Sequence, residues 1–169
     1  MGLNFRVNGI KIRAVSVYMP YSGYDDVEVF DETYDQLRYF CAAGRKQRRR
    51  LVIGGDFNSQ MGVGERGEYL DEFVRSFGLV CANSSDTPWD DQWTFRSSMG
   101  DTRKIDFIFV STSFQNVSGK AVKEVHFGSD HRAVQAKFWI HAFRHYVNTK
   151  KRTRTKWRLV RDHNVPRVY

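Results

Sequence analysis

The chain's 169 residues are enough for one domain with a real core, and an aromatic content of 15% excludes a disordered chain. No apolar run approaches membrane-spanning length, no signal-peptide pattern opens the sequence, and Cys41 and Cys81 are too few for a disulfide framework. An intracellular protein with free thiols is therefore expected, not a secreted or membrane-bound one. The formal net charge is +8, but residues 150–169 hold eight basic residues and one acid, a balance of +7 that leaves +1 for the rest.

Leu3, Phe5 and Val7 alternate with polar residues, the period of a half-buried strand. Asn8-Gly9 is a strong hairpin signal, and it leads into residues 10–18, whose second half is apolar on both faces and reads as a central strand. Pro20 and Gly23 end that strand. Val27, Phe30, Tyr34, Leu37 and Cys41 then recur every three or four residues, one face of a helix that Gly44 should stop. Residues 51–53 form a short buried strand, residues 68–77 a second helix capped by Gly78. Residues 93–95, 105–110, 121–126 and 133–140 read as further strands. Helices interleaved with strands, together with a hairpin, predict an α/β fold: a layered sandwich of mixed β-sheets flanked by helices. The apolar pattern gives way near residue 142, so residues 1–141 are expected to be the folded domain and 142–169 a basic tail or linker.

Two basic stretches point to a polyanion, nucleic acid before membrane. One is the tail, with Lys150, Lys151, Arg152 and Arg154 at its start, which serves equally well as a solubilising extension. The other is Arg45, Lys46, Arg48, Arg49 and Arg50, a solvated loop between helix and strand that can also touch a phosphate backbone.

Ionisable residues stand at the ends of apolar strands in three places: Asp56 and Asn58 after Leu51-Val52-Ile53, Asp106 inside Ile105 to Phe109, and Asp130-His131 after Gly128. Charge is expensive there, so it needs a partner or a task. Asp56 and Asn58 make either an ordinary Asp-x-Asn turn or an acid and amide suited to a phosphate. For Asp106 the obvious partner is His131, whose tautomer an Asp would fix. Tyr18 closes its strand either as a packed aromatic or as a hydroxyl donor.

Five segments carry a resemblance: Val15-Ser16-Val17-Tyr18-Met19-Pro20, Gly55-Asp56-Phe57-Asn58, Trp93-Thr94-Phe95, Ile105-Asp106-Phe107-Ile108 and Ser129-Asp130-His131. In this order and spacing the chain resembles the C-terminal portion of the endonuclease/exonuclease/phosphatase superfamily, over about residues 3 to 140. The nearest likeness is to LINE-type retrotransposon endonucleases and apurinic/apyrimidinic endonucleases. That resemblance implies Mg²⁺- or Mn²⁺-assisted phosphodiester hydrolysis, with DNA the favoured substrate and small phosphoesters such as inositol phosphates the alternative. A third alternative is a catalytically dead fragment that only binds nucleic acid. The resemblance further implies that Asp56 activates water and serves as a metal ligand, Asn58 holds the phosphate, and His131 contacts it with Asp106 orienting the ring. Asp130 would be a metal ligand or lie beside the metal, and Tyr18 a phosphate donor; Trp93-Thr94-Phe95 reads as core before catalysis, with Thr94 a phosphate-side hydroxyl as the alternative. The superfamily's metal-binding Glu and its Asn-bearing strand precede the matching region. Weak activity is therefore expected, along with an exposed apolar sheet edge through which another segment could pair.

Overall fold

The computed structural model describes residues 2–21, 27–84, 92–123 and 128–140. Gly2–Val7 (β1) and Ile10–Tyr18 (β2) are an antiparallel hairpin. Its turn residues Asn8 and Gly9 have φ of 50° and 82°, the two positive values a tight primed turn requires. Helix α1, Val27–Lys46, buries Phe30, Leu37 and Cys41 as their spacing predicts, and delivers the chain to β3, Arg50–Asp56, which lies parallel to β2. Gly44 lies inside α1 and does not stop it. A Cβ at Gly44 would stand 2.9 Å from Leu51 Cδ2 and 3.1 Å from Arg13 Cδ, so the missing side chain permits close packing of helix on sheet. The helix ends instead at a turn where Arg48 takes φ 54° and the Arg49 N–H donates to the Gly44 carbonyl at 3.0 Å.

Helix α2, Gly64–Ser76, starts four residues ahead of the sequence expectation, buries Leu70, Phe73 and Val74, and ends at Gly78, φ 56°. A three-residue strand that the alternation rule is too coarse to detect follows, Leu79–Cys81 (β4). Then come Phe95–Arg96 (β5), Thr102–Arg103 (β6), Asp106–Ser111 (β7), Gln115–Val122 (β8) and Ala133–Trp139 (β9). The strand expected at 121–126 thus begins six residues earlier, and residues 124–127 lie outside the described residues.

The main sheet has the order β1-β2-β3-β7-β4 and is mixed, with β2 and β3 parallel and the other pairs antiparallel. Two ribbons, β5–β6 and β8–β9, complete the fold, which is the mixed α/β layering the sequence predicts. On one face of the sheet Val15, Val17, Leu51, Ile53, Phe107 and Phe109 pack with Phe30, Leu37, Leu70 and Phe73 of the helices. Full burial of each such side chain contributes roughly 1.5–3 kcal/mol. On the other face Ile12, Val110 and Phe114 pack with Val52, Ile108, Val117 and Phe138, the last two from β8–β9. Cover on this second face is partial. Ser16 and Tyr18 are exposed, and on the edge strand β1 Leu3 is 65% and Phe5 37% exposed. The alternation in β1 therefore marks a face but not a buried one, because no described layer lies over it. The tail residues Lys150, Lys151, Arg152 and Arg154, like the expected boundary near 142, lie outside the described residues.

Candidate active site

Register alone brings the central residues together. Tyr18 is paired with Asp56 across β2–β3, and Asp56 with Asp106 across β3–β7, so three strands place these residues in one row at one end of the sheet. Paired residues share a face, and their neighbours Val17, Phe57 and Phe107 belong to the helix-side core. The row therefore projects from the opposite face.

His131 arrives from a separate segment. Phe95 of β5 makes an isolated bridge to His131, flanked by hydrogen bonds from Arg96 N–H to the Asp130 carbonyl (2.9 Å) and from Arg132 N–H to the Thr94 carbonyl (2.6 Å). The Phe95 ring packs 5.0 Å from the imidazole. Held this way, His131 Nδ1–H donates to Asp106 Oδ2 at 3.0 Å, the pairing the sequence suggested. Ligand atoms of Asp56, Asp106 and His131 lie within 4.8 Å of one another, and all three residues are half-buried.

Burial pushes the Asp106 carboxyl above its ordinary range, against the lowering effect of hydrogen bonds from Thr94 and His131. Burial likewise raises Asp56, opposed by the Asn58 N–H and reinforced by the negative charge of Asp106. Two acids face each other at one ladder position, which is destabilising unless a cation or proton lies between them. An oxygen-rich set with one imidazole suits a hard divalent cation such as Mg²⁺ or Mn²⁺. Asp56 and the second oxygen of Asp106 would hold it, since Asp106 Oδ2 is engaged with His131.

Asn58 is not extended as its two-residue spacing from Asp56 implied. Its φ is 48°, its N–H donates to Asp56 Oδ1 at 2.8 Å, and its Nδ2 donates to the Met19 carbonyl at 2.7 Å. The segment is thus the Asp-x-Asn turn of the first sequence reading, and it fixes the Asp56 carboxylate. Asn58 lines a groove of about 470 Å³ with Ser59, Gln60, Arg66 and Arg103. Tyr18 is 73% exposed, paired with Asp56 on the face that carries the acids and not packed in the core. Asp130 is exposed, with Ser129 Oγ 3.5 Å from its Oδ1, and it is outside the three-residue cluster.

Thr94 is fully buried. Its Oγ1 accepts from the Ile105 and Asp106 N–H groups, both at 3.0 Å, so it pins the start of β7, in line with the core reading of Trp93-Thr94-Phe95 rather than the phosphate-side alternative. Asn83 was missed altogether. It is buried, donates Nδ2 to the Asp106 carbonyl at 3.0 Å and accepts from the Ile108 N–H at 3.0 Å, fixing the strand that carries Asp106. Its sequence context, Ala82-Asn83-Ser84, carries only a turn signal.

Arg45, Arg48, Arg49 and Arg50 stand away from this centre. They surround the start of β3, whereas Asp56 ends it, and six residues of strand span roughly 20 Å. Arg45 Nη1 donates to the Ser76 carbonyl at 2.9 Å, and Arg49 Nε to Gln47 Oε1 at 2.8 Å. The Arg50 guanidinium lies 5.4 Å from the Phe114 ring centroid.

Solved structures share this fold. A 3′ phosphatase from Neisseria bound to product DNA hairpin superimposes with TM-score 0.60 at 16% identity, covering 82% of this chain and 65% of that one. Truncated Caenorhabditis elegans TDP2 gives TM-score 0.55 at 15% identity over 82% and 59%. A mannosyl-6-phosphatase from Bacteroides thetaiotaomicron gives 0.55 at 19% over 79% and 53%. The fold is that of the endonuclease/exonuclease/phosphatase superfamily, and the chain spans somewhat under two thirds of these relatives' lengths. Residues 12–135 match the model of the endonuclease-reverse transcriptase family, and the chain belongs to that family. A search of curated proteins finds no match.

Proposed function

We propose that this chain carries the phosphate-cleaving centre of a divalent-metal-dependent nuclease of retroelement type, acting on DNA within the nucleus. The observation that carries the reading is the convergence of Asp56, Asp106 and His131 within 4.8 Å in a chain of the endonuclease-reverse transcriptase family.

A bound divalent cation would neutralise the phosphate and stabilise charge on the leaving oxygen. Asp56, beside the cation, would orient the attacking water and accept its proton. His131, oriented by Asp106, donates to a phosphoryl oxygen as negative charge builds there. The exposed Tyr18 hydroxyl and the remaining Asn58 amide N–H would hold the same phosphate, while Asp130 adds negative charge near Asp106. The apolar edge at Leu3 and Phe5 is where a further segment would pair to complete the sheet. Phosphomonoester hydrolysis is the second reading, favoured by the likeness to a sugar phosphatase.

Nicking of supercoiled plasmid with Mg²⁺ tests both. The expected result is slow nicking abolished alike by Asp56→Ala and His131→Ala, since both serve one transition state. Hydrolysis of sugar phosphates without nicking would replace the nuclease reading by the phosphatase one. Nicking that survives Asp56→Ala would remove the site assignment.

A further inference from the structure

The end of the sheet away from the acids is basic on the side that faces the helices. Residues 2–21 and 36–55 together hold nine lysines and arginines and no Asp or Glu. Register sets two of them opposite each other, Arg6 on β1 and Lys11 on β2. Arg13, two residues on from Lys11, donates Nη1–H to the Phe40 carbonyl of α1, so Lys11 and its partner Arg6 share the helix-side face. Val7, Ile10 and Ile12 point the other way, into the Phe114 cluster. At the same end α1 closes with Lys46, and Arg48 follows in the turn to β3. Arg6, Lys46 and Arg48 are exposed and Lys11 is half-buried. None of these four side chains has a hydrogen bond or ion pair among the described residues.

Lys46 and Arg48 complement the negative end of the α1 dipole. The hairpin pair Arg6–Lys11 belongs to no helix, and like charges directly opposite in a ladder cost stability. Beside these cations α1 leaves two aromatic rings in solvent. Tyr39 is 72% and Phe40 41% exposed, their ring centroids 6.1 Å apart, and Tyr39 lies seven residues before Lys46 on the same helix face. Unpaired cations next to open rings are the parts of a single-strand site, where cations hold phosphates and rings take bases. Ile140, the last described residue, packs in the cluster with Val7 and Ile10, so the described chain ends here too, and residues 150–169 carry a further +7.

We propose that this surface is a second nucleic-acid site that holds a single strand, with phosphates on Arg6, Lys11, Lys46 and Arg48 and unpaired bases on Tyr39 and Phe40. It goes beyond the proposed hydrolysis, which uses none of these residues. The row of Tyr18, Asp56 and Asp106 projects from the other face at the other end of the sheet, so the strand held here is a different segment from the one placed for cleavage. Phosphate contact and stacking read no sequence, so the site tolerates any.

The test is binding of the full chain to a fluorescein-labelled oligothymidylate and to a labelled DNA duplex, by anisotropy in EDTA at several salt concentrations. Arg6→Gln/Lys11→Gln should flatten the single-strand slope of log Kd against log salt by about 1.4, two contacts at about 0.7 each. Lys46→Gln, at an exposed position, should flatten it by about 0.7. Tyr39→Ser should raise the single-strand Kd about fivefold or more at every salt concentration, with the slope and the duplex Kd unchanged, because paired bases are not free to stack. Unchanged slopes in Lys46→Gln and in a folded Arg6→Gln/Lys11→Gln protein would overturn the surface and return binding to residues 150–169. Equal losses on single strand and duplex, with no effect of Tyr39→Ser, would overturn the single-strand site in favour of a duplex-binding one.

Discussion

Gly55→Ala should be the most damaging small substitution near the site. Gly55 precedes Asp56 with φ 151°, and a Cβ there would stand 1.9 Å from the Val17 carbonyl oxygen and 2.9 Å from Val17 N. The obstacle is backbone of the neighbouring strand, so it cannot rotate away. A side chain in that backbone conformation costs of order 1–3 kcal/mol, and forcing β2 from β3 adds to it, giving a total of about 3 kcal/mol or more. For a chain of this size, each kcal/mol lowers Tm by about 2–4 °C, so a fall of about 6–12 °C is expected. Gly54→Ala is the control. Its Cβ would meet Ile108 Cγ1 at 3.5 Å and the Phe107 carbonyl at 3.8 Å, ordinary contacts, so it should stay within about 1 kcal/mol of wild type. Urea unfolding of the three proteins, with Tm by circular dichroism, reads the comparison. A Gly55→Ala protein within about 0.5 kcal/mol of wild type, or a Gly54→Ala protein that is the weaker of the two, would refute the reasoning.

Asp56→Asn keeps an oxygen for the Asn58 N–H but removes one of two facing charges, so in EDTA it should raise Tm near neutral pH. The folded carboxyl is raised above its unfolded value of 3.8, so the wild type gains stability as pH falls through the raised value and the variant does not. The Tm gap should therefore close as pH approaches that unfolded value; a gap independent of pH contradicts the charge argument. Burial holds the Cys41 thiol at about 12 and raises Cys81 as well, so both should be slow toward a thiol-specific disulfide reagent near pH 8, the fully buried Cys41 the slower. Two fast-reacting thiols in the native protein would contradict the packing. For Cys41 the stability contribution is full below the ordinary thiol value and declines as pH rises toward about 12, so Cys41→Ala should lose its disadvantage over that window.

Much of the fold was readable because its signals are local. Asn8-Gly9, the α1 stripe at Phe30, Leu37 and Cys41, and the cap at Gly78 each express a rule that acts over a few residues. Gly44 misled because a glycine needed for close approach looks in sequence like one needed for a turn. Leu79–Cys81 is shorter than the period that would reveal it. At the site, the Asp106–His131 pair was legible because a carboxylate in an apolar run needs a partner. Asn83 was not, since its importance comes from a strand pairing twenty-odd residues downstream. The approach of the Arg96 and Arg132 guanidinium carbons to the Trp93 ring centroid, 4.4 and 3.1 Å, likewise depends on two segments meeting, which no spacing rule foresees.

The pairing of Asp56 with Asp106 has a consequence for how this chain can change over time. Slippage of β7 by one residue would turn Asp106 toward the helices and Phe107 outward. What opposes slippage is the aromatic knot of Phe57, Phe107 and Phe109, whose rings meet at 5.1 to 6.0 Å, together with the hydrogen bonds from Asn83. None of these groups takes part in the chemistry proposed for the site. The acids are passengers on an alignment that apolar packing maintains, and their mutual repulsion slightly loosens it. A lineage could shed Asp56 or Asp106 and keep a sound, even sturdier, protein, so folded descendants without either acid are the expected outcome whenever selection for the proposed chemistry lapses. The reverse path is narrow, because a change among the phenylalanines shifts both acids together.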